Sequence, residues 1–148
     1  MFFKINLRFI SKLAILLTLS SSFLFTISTA SAYEKYFHGD PNYEFAYIQM
    51  GSAFYVDKNS ISSLLYRPPY YKLSAIIYST NDKRNFLSYP HVATFEYHYD
   101  TKSVFRCDEL GRRTEKTFIR TDSHASEADK RAIAAAKVIW KKAYGSDW

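Results

Sequence analysis

The chain changes its hydrophobic period once, and that change constrains its fold more than any motif. From Phe45 to Thr121 apolar and aromatic residues alternate with polar ones in short runs, whereas from Ser126 onward they recur at helical spacing. Alternation puts successive side chains on opposite faces of a strand, while recurrence at three and four lines up one stripe of a helix. The clearest alternating run is Val92 to Tyr99, with Ala93, Phe95, Tyr97 and Tyr99 on one face and Thr94, Glu96 and His98 on the other. Lys72 to Ser79 is the most hydrophobic run, so both of its faces are expected to be at least partly covered. Phe45–Met50 and Ala53–Asp57 flank Gly51-Ser52, a hairpin signal because glycine at the first turn position tolerates positive φ. Ser103–Asp108, which sets Phe105 and Cys107 together, and Arg113–Thr121 follow at hairpin spacing around the Leu110-Gly111-Arg112 turn. In between, Asn59 or Ser60 is expected to cap a short helical turn over Ser60–Leu65, and Pro68-Pro69 to block both helix and central strand.

The last segment carries its own start and stop signals. Ser126 followed three residues on by Asp129 resembles a capping box, and Gly145 is a stop. Ala132, Ile133, Ala136, Ile139, Trp140 and Ala143 form the apolar stripe, and Lys141 and Lys142 suit the negative end of the helix dipole. The expected fold class is therefore α+β: an antiparallel meander sheet of about five strands, with the C-terminal helix laying Ile133, Ala136 and Trp140 on one face.

Residues 1–32 read as an address. Lys4, Arg8 and Lys12 precede an apolar run from Leu13 to Ile27, and Ala30-Ser31-Ala32 supplies the small-x-small pattern of a signal-peptidase site. Thr18 and Ser20-Ser21-Ser22 interrupt the run, which is short for a span of ~20 residues, so no permanent membrane span is expected after cleavage. The expected organisation is a signal peptide over 1–32, a loosely held lead-in over 33–44 and one domain over 45–148. Localisation follows as exported, either periplasmic or extracellular at the cell surface.

Removing the signal changes the electrostatics. The full chain carries 20 Lys+Arg against 14 Asp+Glu, but three of the cations and none of the anions precede Tyr33. The balance falls from +6 to +3, and with it most of the case for a nucleic-acid partner. All 13 tyrosines, both tryptophans and seven of the 12 phenylalanines lie after Ala32, so the aromatic excess survives trimming.

No catalytic grouping is evident. Cys107 is the one cysteine, which excludes a disulfide within the chain and reads as a buried thiol, with an intermolecular disulfide and homodimer as the rival. His38, His91, His98 and His124 have no paired ligand spacing, and no serine elbow or glycine-rich phosphate loop occurs. No enzyme activity, cofactor or metal is expected. Two surfaces suit binding instead. Arg112, Lys116, Phe118 and Arg120 form a cationic row with an aromatic among it, fit for an acidic protein or glycan, although charged edge strands also serve only to prevent pairing. Tyr66, Arg67, Tyr70 and Tyr71 flank two stiffening prolines, and rigid Tyr and Arg dominate contact surfaces, although such tyrosines also pack on adjacent strands.

The stretch Phe45-Ala46-Tyr47-Ile48 through Phe54-Tyr55-Val56-Asp57-Lys58-Asn59-Ser60-Ile61 resembles the opening of surface-adhesin protein E-like domains, small exported bacterial proteins. That resemblance implies an antiparallel sheet with a helix against it and, in some members, binding of host matrix or plasma proteins. Asp57, Ser60 and Ile61 match the signature, with Asp57 and Ser60 expected to satisfy backbone groups at a strand-to-turn junction. A cysteine pair found in some members has only Cys107 here. The functional expectation is an exported small binding protein, adhesin-like or envelope-associated, with a periplasmic inhibitor or chaperone-like module as the alternative.

Overall fold

Six strands pair antiparallel strictly in chain order in a curled sheet, and one helix packs against it. The computed structural model describes residues 33–81, 86–120 and 124–148. The strands are β1 (Tyr43–Gln49), β2 (Ser52–Arg67), β3 (Tyr70–Asn81), β4 (Ser88–His98), β5 (Ser103–Cys107) and β6 (Arg113–Ile119), and the helix is α1 (Glu127–Tyr144). The α+β meander with a C-terminal helix is as expected, with six strands where about five were anticipated. The expected signal segment over 1–32 and most of the Thr80–Arg84 turn lie outside the described residues.

The β1–β2 hairpin turns one residue earlier than Gly51-Ser52. Gln49 pairs with Ser52, so Met50 and Gly51 are the central residues, with φ of 50° and 73°. Positive φ at both positions defines the I′-type geometry that matches strand twist. Glycine takes it freely, whereas Met50, 96 % exposed, takes it against its Cβ.

The larger correction concerns Ser60–Leu65, which continues β2 and forms no helical turn. Asp57 and Ser60 are polar because the strand bulges there, and the β2–β3 register shifts between Asp57 and Ser62. Asp57 Oδ1 accepts the Asn59 backbone N–H at 2.9 Å. Ser60 Oγ donates to the Asp57 carbonyl at 2.7 Å and accepts the Ile76 N–H at 2.7 Å. The hydroxyl thus stands in for a ladder carbonyl that the bulge removes. The same short polar side chains would cap a helix, which is why the two outcomes look alike in sequence. Beyond the bulge β2 runs to Arg67, and Pro68-Pro69, joined by a cis peptide, turns it into β3.

The sheet has two covered faces. On the inner face Val56, Leu73, Ala75, Ile77, Phe95, Tyr97, Val104 and Ile119 meet Ala132, Ala135, Ala136, Ile139 and Trp140 of α1. Burying each large aliphatic of this set contributes roughly 1.5–3 kcal/mol. The helix begins at a complete capping box: Asp129 N–H donates to Ser126 Oγ at 3.1 Å and Ser126 N–H to Asp129 Oδ2 at 3.2 Å. It ends at Gly145 in the left-handed region, whose N–H reaches the Lys141 carbonyl.

On the outer face the segment before β1 supplies a second, smaller packing layer. Phe37 and Phe45 meet the buried Tyr55 ring edge-on at 5.5 and 5.8 Å, and Tyr33 stacks on Phe45 at 6.0 Å. The lead-in is placed by backbone bonds as well: Phe45 N–H donates to the Lys35 carbonyl at 2.9 Å, and Tyr36 bridges Glu44. Tyr55 Oη also reaches the Glu34 carbonyl at 3.4 Å.

Candidate functional site

The aromatic excess is mostly consumed in packing. Tyr71, Tyr97, Trp140 and Tyr144 form one cluster where the far end of the sheet meets the last turns of α1, with Tyr97–Trp140 at 5.1 Å and Trp140–Tyr144 at 4.5 Å. Tyr71 meets Trp140 edge-on at 5.2 Å, so it belongs to this cluster rather than to the surface of the β2–β3 tip. Tyr66, Arg67 and Tyr70 stay exposed at that tip, Tyr66 leaning on Tyr71 at 5.4 Å.

The cationic row expected along the last strand is divided between three places. Arg112 sits in the β5–β6 turn, where its guanidinium pairs with Asp108 at 3.0 Å. Asp108 also accepts the backbone N–H groups of Arg112 and Leu110, and the Arg112 N–H bond leads in holding its carboxyl below the usual range. Phe118, half exposed, packs on Phe105 at 5.4 Å on the outer face. Arg113, not Arg112, joins them, its guanidinium 3.5 Å over the Phe105 ring. The reason is a register shift: β6 takes five residues from Phe118 back to Arg113 while β5 takes two from Phe105 to Cys107, an odd difference that flips the face. Glu96 lies between Arg113 at 3.6 Å and Lys72 at 3.4 Å and compensates both. The side chain of Lys116 lies outside the described residues.

Arg120, just past β6, belongs instead to a groove on the helix side. It lines a space of about 530 Å³ with Lys102, Lys130, Lys137, Ile133 and Trp148. Each element contributes for a local reason. Lys130, Ile133 and Lys137 recur at three and four and so share one flank of α1, beside the buried stripe. Lys102 occupies the β4–β5 turn at φ 49°, its ammonium 3.7 Å over the Tyr99 ring and 4.9 Å from Trp148. Trp148 is folded back after Gly145 by two bonds, Trp140 Nε1–H to Ser146 Oγ at 3.3 Å and Lys141 Nζ to Asp147 at 2.9 Å. Its ring then lies 4.5 Å from Trp140 and 5.0 Å from Tyr97. Four cations thus surround an aromatic and apolar floor, and no Asp or Glu side chain occurs among the described lining residues. Lys130 pairs with Glu127 at 2.7 Å, but both groups are well exposed and such pairs contribute only ~0–1 kcal/mol, so the lysine can exchange partners.

Of this groove's cations only Arg120 was singled out from the sequence. Lys130 and Lys137 were detectable from their seven-residue spacing next to the apolar stripe, whereas Lys102 and Trp148 are brought in by tertiary folding. Cys107 is free and buried, and burial pushes its thiol above the ordinary range. Among the described residues no three His, Cys, Asp or Glu side chains gather in metal-binding geometry, and no helix is long and apolar enough to cross a membrane.

No family model matches the chain, and neither a curated protein nor a solved structure matches it.

Proposed function

We propose that the protein is an exported binding module, adhesin-like or envelope-associated, that holds a polyanionic protein or glycan rather than transforming it. The observation that carries this reading is the groove in which Lys102, Arg120, Lys130 and Lys137 converge on Trp148 and Ile133. Clustered cations raise the local concentration of an anionic partner, and the flat indole offers contact area at low entropic cost. The signal-like segment over 1–32 and the resemblance of the first hairpin to surface-adhesin protein E-like domains support the same reading. The test is titration with heparin and with polyglutamate while ionic strength is varied. Binding of at least one, weakening steeply with salt, supports the proposal; absence of binding to both at low salt opposes it.

A second reading has its own observation. β1 pairs with β2 only as far as Asp57, so from Ser60 onward β2 has no strand partner on that side among the described residues. Ser62 to Arg67 are exposed there, Leu64 and Tyr66 included. An exposed edge whose one charge, Arg67, lies at its end accepts an added strand, which suits a periplasmic inhibitor or chaperone-like module acting on a protein. Capture of a partner by this edge would be insensitive to salt and abolished by Ser62→Pro.

A further inference from the structure

A second cavity, separate from the lysine groove, lies between the inner face of the sheet and the N-terminal half of α1, with a volume of about 360 Å³. Arg106 of β5 and Arg131 of α1 stand on two of its walls, with Tyr47, Gln49 and His91. Arg106 pairs with Phe95 and shares the inward parity of Val104, yet it stays exposed, so a cation stands on the inner face of the sheet where solvent still reaches it. Neither guanidinium has an ion-pair partner among the described residues, and no carboxylate is among the described residues that line the cavity. Two guanidinium groups on the walls of one space repel each other, and an anion between them relieves that repulsion beyond what Glu127, one turn earlier on α1, supplies to Arg131.

The remaining lining refines the ligand. Burial pushes the Tyr47 hydroxyl above its ordinary value although Arg106 and Arg131 both oppose that shift, so it stays a neutral donor inside their joint field. Burial, aided by Arg106, lowers the His91 imidazole, leaving it a neutral polar group at the rim. Ile77, Phe95 and Ala135 supply an apolar floor. The volume stands at the lower end of the ~300–1,000 Å³ typical of small-molecule sites.

We infer that this cavity is a binding site for a small organic anion, one carboxylate or phosphate head held by Arg106 and Arg131 and a compact apolar body resting on Phe95 and Ala135. Its guanidinium pair offers the planar, bidentate geometry that lysines in the other groove lack.

Calorimetric titration of the full chain with benzoate, phenyl phosphate and the neutral isostere benzamide tests the site. At least one anion binds, benzamide does not, and the stronger of the two anions identifies the preferred head group. Arg106→Gln and Arg131→Gln each weaken binding about tenfold or more. Arg106→Lys and Arg131→Lys, which keep the charge but lose the fork, fall between, and unchanged melting temperatures show that the fold is retained. Lys130→Glu with Lys137→Glu leaves these titrations unchanged, which separates this site from the polyanion groove. No binding of either anion at about 10 mM, equal binding of benzamide, or indifference to both glutamine variants overturns the inference.

Discussion

The hydroxyl of Tyr97 donates to the carbonyl of Ala136 at 2.8 Å, joining the middle of the sheet to the middle of the helix inside the core. Tyr97 is fully buried, and burial raises its phenol well above the ordinary value of 10.0. A folded-state value above the unfolded one favours the protonated form, so this contribution is complete below about pH 10 and is lost as pH rises further. Melting temperature measured between neutral pH and pH 11 should hold steady and then fall above about pH 10, and Tyr97→Phe should flatten that fall. At neutral pH the same variant should lose only about 0.5–1.5 kcal/mol, because the Ala136 carbonyl keeps its helical position.

Tyr144 is the opposite case. Its hydroxyl is buried without a hydrogen-bond partner among the described residues, while its ring packs on Trp140 at 4.5 Å. Tyr144→Phe removes the unsatisfied group and keeps the packing. Denaturant unfolding should show the variant as stable as the wild type or about 1 kcal/mol more so.

The bulge at Ser60 predicts a larger loss. Ser60→Ala leaves the Ile76 N–H without its acceptor in the middle of the longest strand pair. Equilibrium unfolding should register about 1–3 kcal/mol of destabilisation, and amide exchange at Ile76 should accelerate more than at its neighbours.

How much of this was legible depended on whether one element or several decided the outcome. β4 and α1 could be read from their own residues: alternation through Tyr97, and a capping box at Ser126 with a stop at Gly145, carry sufficient local information. Ser60–Leu65 could not, because Asp57, Asn59 and Ser60 satisfy a bulge with the same bonds that would start a helix, and only pairing with β3 decides between them. The binding surfaces divide likewise. The inward parity of Arg106 and the spacing of Lys130 and Lys137 were present in the sequence, but the register shift on β6 that exchanges Arg112 for Arg113 is a property of two strands together. The tyrosine excess, which suggested contact with a partner, turns out to be spent largely on two internal layers, around Tyr55 and around Trp140.

The first turn offers a stabilising change. Met50 holds a positive φ that asparagine tolerates better, and Asn-Gly is the preferred pair for this geometry. Met50→Asn should raise the stability by roughly 0.5–1 kcal/mol, whereas Gly51→Ala should lower it by a similar amount or more, both measurable by thermal denaturation.

The central claim, that the lysine-lined groove beside Trp148 holds a polyanion, is tested most directly by reversing its charge from the helix side. Lys130→Glu with Lys137→Glu changes two exposed side chains and leaves the buried stripe of α1 intact. The affinity of this variant for the polyanion that the wild type binds should fall about tenfold or more at low salt, with a shallower salt dependence. An affinity and salt dependence equal to those of the wild type would contradict the assignment of the groove.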